Sequence, residues 1–486
     1  MDRDLKRLSP GKVWAKFEEI TRIPRPSRHE DAIREYLLSE ARAHGIEAFG
    51  DEAGNVIMRK PATPGMESRK GIILQAHMDM VPQKNGDKAF DFTRDAIEAY
   101  IDGDWVTADG TTLGADNGLG MAAILAVMES DDLVHGPLEA LITATEETGM
   151  DGANGLKGGL LRGEILVNLD SETEGELYVG CAGGLDASMT FDYTEEPVAD
   201  GMKAFRIEVK GLRGGHSGIE IVLERANANL LLFRLLRQAS LSFGLRLASV
   251  DGGGLRNAIP REATATVVVP EASADAFVES VRAFESVVKA EYKGVDDGIA
   301  VSAAETSLPA SLIDASTQWR LVRAVQGCPN GVMRMSPSMK GLVQTSSNLA
   351  RVVSGDGKIA VQCLLRSSVT SEKNDLGESI ASVFELAGAE VTLSGGYDGW
   401  NPDMDSPILA AMRASYEELF GVEPAVTAIH AGLECGIIGT NYPGLDMISF
   451  GPTIRYPHSP DEKVSVPSVE RFWKYLLATL RHAPAR

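Results

Sequence analysis

The sequence predicts an α/β protein interrupted by a long α+β stretch, and three observations carry that reading. Short apolar runs at 71–76, 138–144 and 165–169 read as buried strands, and helical stretches lie between them, 117–130 the clearest. Such alternation implies a sheet covered on both faces. The style lapses after about Asp186 and resumes after the Gly395-Gly396 turn, near Tyr397. Between those points the order of elements recurs, strands, a long helix and more strands, which predicts an internally duplicated region. A chain of 486 residues is also long enough for two or more domains.

Each element has a local reason. Ser9-Pro10 opens a helix with Val13, Trp14, Phe17 and Ile20 on one face. Ser27 and Glu30 have the spacing of a capping box for a second helix, which Gly45 stops. In the middle region, helices are expected over 224–236 and 273–284 with a strand over 263–269 between them. The second half places 344–348 before strands that end near Leu365, followed by a helix over 375–387. The tail reads as a helix over 406–420, strands over 425–429 and 447–450, and a closing helix over 468–481, bounded by Pro467 and Pro484.

Composition narrows the function classes. With 47 Lys and Arg against 69 Asp and Glu, the formal charge of −22 disfavours nucleic acid or an anionic membrane as the main partner. The start, MDRDLKRLSPGKVWAKF, lacks the apolar core of a signal peptide. The longest apolar run, 118–128, falls well short of the ~20 residues of a membrane helix. Cys181, Cys328, Cys363 and Cys435 are scattered, with no Cys-x-x-Cys, so a reducing cytoplasm is expected.

The residues able to carry chemistry fall at the ends of predicted strands. His77 and Asp79 end the first, Asp116 opens the helix after a glycine-containing loop, Glu146 and Glu147 follow the second strand, Asp170 ends the third, and His458 lies in the loop after 447–450. Ligands of open α/β sheets bind outside the carboxyl ends of strands, so these places can converge. Asp79, Asp116, Glu147 and Asp170 would then repel one another strongly without a cation. Two divalent ions would relieve the repulsion, and imidazole with carboxylate suits zinc, cobalt or manganese.

The segments LQAHMDMVP (74–82), GTTLGADNGLGMA (110–122), TATEETGMDGA (143–153), NLDSE (168–172) and FGPTIRYPHSPDE (450–462) resemble the di-zinc peptidase clan of carboxypeptidase G-type enzymes and carnosinases. VGCAGG (179–184), GLRGGHSG (211–218), GLRNAIP (254–260) and HAGLECG (430–436) resemble its aminoacyl-histidine (Xaa-His) dipeptidase branch, over essentially the whole chain. The resemblance implies a discontinuous catalytic domain, 1–186 and 398–486, with an inserted α+β lid and dimerisation domain, 187–397. It implies Asp116 as the carboxylate bridging two metals, zinc foremost, with His77 and Asp170 completing one shell and Glu147 and His458 the other. Asp79 would orient His77, and Glu146 would be the general base. The family's cis peptide after the bridging Asp falls at Asp116–Asn117. His216 matches the lid histidine that stabilises the oxyanion, often across a dimer, while Asn257, Arg366, Gly432 and Glu434 match substrate contacts.

The implied activity is hydrolysis of unblocked dipeptides, Xaa-His and β-Ala-His among them, by a cytoplasmic homodimer. An N-acyl amino-acid deacylase or carboxypeptidase of the same clan, and a non-catalytic peptide-binding relative, are the competing readings. A serine hydrolase is disfavoured because no Gly-x-Ser-x-Gly elbow is present. His29, His44, His135 and His482 read as solvated, and His430 falls outside the metal set.

Overall fold

A computed structural model describes residues 2–486, which form two compact units. The first comprises the described residues up to Cys181, Trp400–Ala428 and Leu433–Arg486, and the second Ala182–Gly399 with Ile429–Gly432. The crossings therefore fall at 181/182 and 399/400, against the 186/187 and 397/398 read from sequence. The short stretch Ile429–Gly432, expected with the tail, clusters with the second unit instead.

In the first unit an eight-stranded sheet runs in the order Glu47–Gly50, Val56–Lys60, Leu138–Thr143, Ile72–His77, Ile165–Asn168, Asp446–Ser449, Glu176–Cys181, Ala425–Ile429. Its middle four strands are mutually parallel, and the three that precede site residues most closely, Ile72–His77, Leu138–Thr143 and Ile165–Asn168, are buried at every position. Both faces of such a strand meet other elements, which is why their sequences run apolar rather than alternating. The helix Ala115–Met128 is buried along almost its whole length and packs on Gly11–Thr21 and Ile72–His77. That burial accounts for the long apolar run at 118–128. Among the described residues no helix is long and apolar enough to cross a membrane.

Two local expectations need correcting. Ser27 and Glu30 do not form a capping box: the Ser27 hydroxyl donates to Asp79 Oδ2 at 2.8 Å, and Glu30 Oε1 accepts from the Arg28 N–H and the Thr145 hydroxyl, both at 2.9 Å. The helix expected over 224–236 spans Ala228–Phe243, because Asn227 is its cap and accepts from the N–H groups of Asn229 (3.0 Å) and Leu230 (3.3 Å).

The second unit holds the duplication. One half runs strand Met202–Lys210, helix Ala228–Phe243, strands Arg246–Gly253 and Ala263–Pro270, helix Ala274–Glu291 and strand Ala300–Thr306. The other runs strand Gly183–Asp192, helix Ala315–Gly327, strands Val343–Gly355 and Lys358–Ser367, helix Thr370–Leu386 and strand Glu390–Tyr397. Within each half the strands lie in the spatial order fourth, first, third, second. The two second strands pair antiparallel through Asp251–Gly253 and Arg351–Val353, joining the halves into one sheet. The halves are not consecutive, as the sequence suggested. The first strand of one, Gly183–Asp192, precedes the whole of the other, which is inserted after it. Phe191, Phe205, Phe233, Phe277 and Phe384 fill a common core beneath both.

Replacing Asn227 by Ala removes the cap acceptor and the 3.0 Å bond from its amide to the Leu349 carbonyl. A loss of about 1–2 kcal/mol is expected, with Asn227→Asp retaining most of the capping contribution. Urea unfolding of the variants against the parent checks both outcomes.

Candidate active site

Four adjacent parallel strands deliver the first unit's polar residues to one end of its sheet. Ile72–His77 ends in His77 itself; Leu138–Thr143 leads to Glu146 and Glu147; Ile165–Asn168 leads to Asp170; and Asp446–Ser449 leads into the loop of His458. Asp116 stands at the start of the helix Ala115–Met128, where it and Asn117 have non-helical backbones and the peptide between them is cis. Thr145, just before the Glu146-Glu147 pair, and His458 both have positive φ, at 57° and 58°. Left-handed backbone at residues other than glycine tends to cluster where function fixes geometry.

The Asp116 carboxylate is shared. Its Oδ1 lies 3.0 Å from His77 Nε2 and its Oδ2 3.1 Å from His458 Nε2. His77 Nε2 is also 3.3 Å from Asp170 Oδ1, and His458 Nε2 is 3.0 Å from Glu147 Oε2. Two sets of convergent ligand atoms result, His77–Asp116–Asp170 and Asp116–Glu147–His458, with Asp116 common to both. Asp170 is further held by the Asn117 side-chain amide.

Electrostatics say what such a site needs. Burial alone would lower the His77 imidazole, yet Asp170, Asp116 and Asp79 raise it well above its ordinary value. Bonds to Asp116 and Glu147 push His458 up to about 11. Burial lifts Asp170 to about 6, with Asp116 and Glu147 adding to the rise and His77 opposing it. The carboxylates thus demand positive charge, and protons on the two imidazoles are the local source. A pair of divalent cations fits the same donors: Glu147 Oε1 is buried and has no protein partner, and a metal-bound imidazole is neutral.

Asp79, fully buried, organises this cluster from behind. Its Oδ1 is 3.2 Å from His77 Nδ1 and accepts the Glu146 N–H at 3.0 Å, while Oδ2 accepts from Ser27 and from the Glu147 N–H at 3.2 Å. One carboxylate therefore orients the imidazole and pins the backbone of both glutamates. Glu146 makes a third convergent set with His77 and Glu147, so proximity does not separate ligand from base. Burial raises Glu146 well above the carboxylate range, and the charges of Asp170, Glu434 and Glu147 push it further, against His77. Such a group is suited to carry a proton.

Glu434 also belongs to this unit and is buried, with Oε2 accepting from Gln75 (2.6 Å) and Thr143 (2.7 Å) and Oε1 unpartnered. Sequence reasoning missed Ser27, Arg25, Gln75 and Glu462. Glu462 closes the quoted 450–462 segment and so carried a faint signal; Arg25, between two prolines, carried none. A further acidic group, Glu40–His44–Glu129, already holds the Lys16 ammonium, 3.0 Å from Glu129 and bonded to Glu40.

In the second unit, His216 Nδ1 accepts from the N–H groups of Gly218 and Ile219, each at 3.1 Å, so its proton sits on Nε2. A Cβ at Gly218 would lie 2.2 Å from the His430 carbonyl and 3.0 Å from Arg366 Nε and His216 Cε1. Only glycine allows these three groups to approach. Arg366 and His430 are buried, His430 Nε2 lies 2.7 Å from the Ser346 hydroxyl, and Arg366 Nε and His430 Nδ1 lack partners. Asn257 is exposed and its carbonyl accepts the Ser217 N–H; Gly432 is half-buried. His135, expected to be solvated, is fully buried with Nδ1 2.8 Å from the Gly136 carbonyl, whereas His29, His44 and His482 are exposed.

This fold and paired ligand set define a hydrolytic enzyme of the metallopeptidase class. The chain matches Peptidase family M20/M25/M40 over residues 73–482 and belongs to that family. It is 45% identical over 483 residues to a cytosol non-specific dipeptidase of Escherichia coli (strain K12), covering 99% of this chain and 100% of the relative. It is similar to a solved aminoacylhistidine dipeptidase from Vibrio alginolyticus, with a TM-score of 0.95, 47% identity and 99% of both chains covered. A tripeptidase from Staphylococcus aureus shares the fold at a TM-score of 0.57 and 16% identity, over 98% of each chain.

His430 gives a pH prediction. Burial, aided by the charges of Arg366 and His216, pulls its imidazole down to about 3. The unfolded chain, with an ordinary value of ~6.5, then binds the extra proton, so stability present at neutral pH is lost as pH falls below ~6.5. His430→Gln should flatten that acid limb by up to roughly 1.4 kcal/mol per pH unit, read from urea unfolding at a series of pH values.

Proposed function

We propose that this protein is a metal-dependent dipeptidase acting on unblocked dipeptides, Xaa-His and β-Ala-His among them. The observation that carries this reading is the Asp116 carboxylate, one oxygen directed to His77 and the other to His458. His77, Asp116 and Asp170 would hold one divalent ion and Asp116, Glu147 and His458 the other, with zinc the first choice and cobalt or manganese able to substitute. The similarity to enzymes named as dipeptidases, over nearly their whole lengths, supports the substrate class.

When bound, a pair of divalent ions lowers the pKa of a water and polarises the scissile carbonyl. Glu146 accepts the proton of the attacking water at its carboxylate and passes it to the departing amine. Asp79 keeps the Nδ1 of His77 engaged and so directs Nε2 to the ligand cluster. His216, with its proton on Nε2, donates to the developing oxyanion. Arg366 pairs with the substrate carboxylate, a geometry for which guanidinium is suited, and Asn257 and the Gly432 backbone position the rest. The free oxygen of Glu434 receives the substrate's amino group.

The same reading makes the protein a cytoplasmic homodimer assembled through the second unit, its lid. The terminal strands of the nine-stranded sheet there, Ala300–Thr306 and Glu390–Tyr397, are mostly exposed edges, the kind of strand on which a second sheet can pair.

Glu146→Gln should lower kcat on Ala-His by about 10²–10⁴-fold while metal content is unchanged. Lost metal in that variant would exchange the roles of Glu146 and Glu147. His216→Ala should lower kcat by about 10²–10³-fold, and mixing it with Glu146→Gln protein should restore activity only if His216 acts across a dimer. Chelator treatment should abolish hydrolysis reversibly; hydrolysis that ignores chelation would end the metal reading.

A further inference from the structure

Glu462 and Arg25 are both almost wholly buried, at 2% and 1% exposure, and neither has a part in the chemistry described so far. The Glu462 carboxylate accepts four consecutive backbone N–H groups. Oε2 takes Leu113 at 2.8 Å and Gly114 at 2.9 Å, and Oε1 takes Ala115 at 2.8 Å and Asp116 at 3.2 Å. Every one of these partners is a donor, so the geometry calls for an ionised carboxylate with both oxygens filled. The Arg25 guanidinium takes carbonyls instead: Nη1 donates to Met78 at 3.1 Å and Asp79 at 2.8 Å, and Nη2 to Gly114 at 2.5 Å. Gly114 is gripped from both sides, its N–H by Glu462 and its carbonyl by Arg25. A Cβ at Gly114, whose φ is 72°, or at Gly118 would lie 2.6 or 2.7 Å from Arg25 Nη2, so both positions keep room for the guanidinium.

We propose that Glu462 and Arg25 are positioning residues for the metal centre, acting as a buried, oppositely charged bracket that fixes three of the five segments bearing its ligands, those of His77, Asp116 and His458. Glu462 ties the loop that carries His458 to the backbone of Asp116, and Arg25 ties that same backbone to the loop after His77. The two oxygens of Asp116 are thereby aimed before any ion arrives. The inference rests on the reading of Asp116 as the bridging ligand. Outer partners of this kind typically change metal affinity by about 10–100-fold when lost.

The test uses metal-free full-length protein titrated with Zn²⁺ or Co²⁺ by calorimetry and visible absorption. Glu462→Gln keeps the size of the side chain but sets an NH₂ group against two N–H donors. It should weaken binding of at least one of the two ions by about 10–100-fold and alter the Co²⁺ spectrum. Arg25→Lys keeps the charge without the fork and should do the same more mildly. Folded variants that bind both ions with unchanged affinity and spectrum would overturn the proposal. Wild-type protein that binds no pair of ions would instead overturn the metal-centre reading itself. Hydrogen exchange on metal-free wild-type protein covers the case in which the variants do not fold. The amides of 113–116 should be protected without metal, and free exchange there would overturn the bracket.

Discussion

The constraint on which the first unit depends is the sharing of one carboxylate between two imidazoles. Asp79, Asp116, Glu147 and Asp170 are all largely buried within hydrogen-bonding reach of His77 or His458. Gathering that much negative charge out of water is unfavourable unless cations stand among it. The imidazoles meet the need only by holding protons, which is why both are raised well above their ordinary range. A divalent pair held by the same oxygens would leave the two imidazoles neutral. The ligand set, the buried carboxylate of Asp79 and the left-handed backbone at Thr145 and His458 make sense together on that condition.

The sheet supplies the convergence and the second unit supplies the contrasting solution. Parallel strands place four chain segments side by side with their carboxyl ends together, so residues far apart in sequence meet without long loops. The second unit instead builds one continuous sheet from two halves of the same topology, joined at their second strands. The pairing of halves gives a long sheet from a small motif. Gly218 shows how tightly side chains gather in one part of it, where no side chain could replace its hydrogen.

Much of this was legible in the sequence because burial and catalysis leave different marks. The buried strands and the helix after Asp116 announced themselves as apolar runs, and the candidate ligands stood as polar residues directly beyond them. What escaped was long-range. Ser27 and Glu30 have the spacing of a cap, yet their side chains bond Asp79, and Arg28 with Thr145, because partners brought in by the fold outcompete the local motif. The duplication was visible as a recurring order, but its interleaving was not, since strand pairing does not depend on chain order. His135 looked solvated among polar neighbours and is fully buried, its Nδ1 set close to the next residue's carbonyl. Arg25 and Glu462 serve backbone groups, and a side chain that bonds to backbone leaves no pairing pattern to read.

The adjacent glutamates share one anchor but meet different surroundings. Both N–H groups are held by the same Asp79 carboxylate, so their backbones are fixed as a unit. Their side chains then meet different neighbours. Glu147 Oε2 lies 3.0 Å from His458 Nε2, which is also 3.1 Å from Oδ2 of the shared Asp116. Glu146 meets burial and the charges of Asp170, Glu434 and Glu147, which favour its protonated form. A buried carboxyl raised in this way is suited to carry a proton, the part proposed for Glu146. The division proposed for the pair, Glu147 as ligand and Glu146 as proton carrier, accordingly rests on what lies beyond each side chain rather than on their order in the chain.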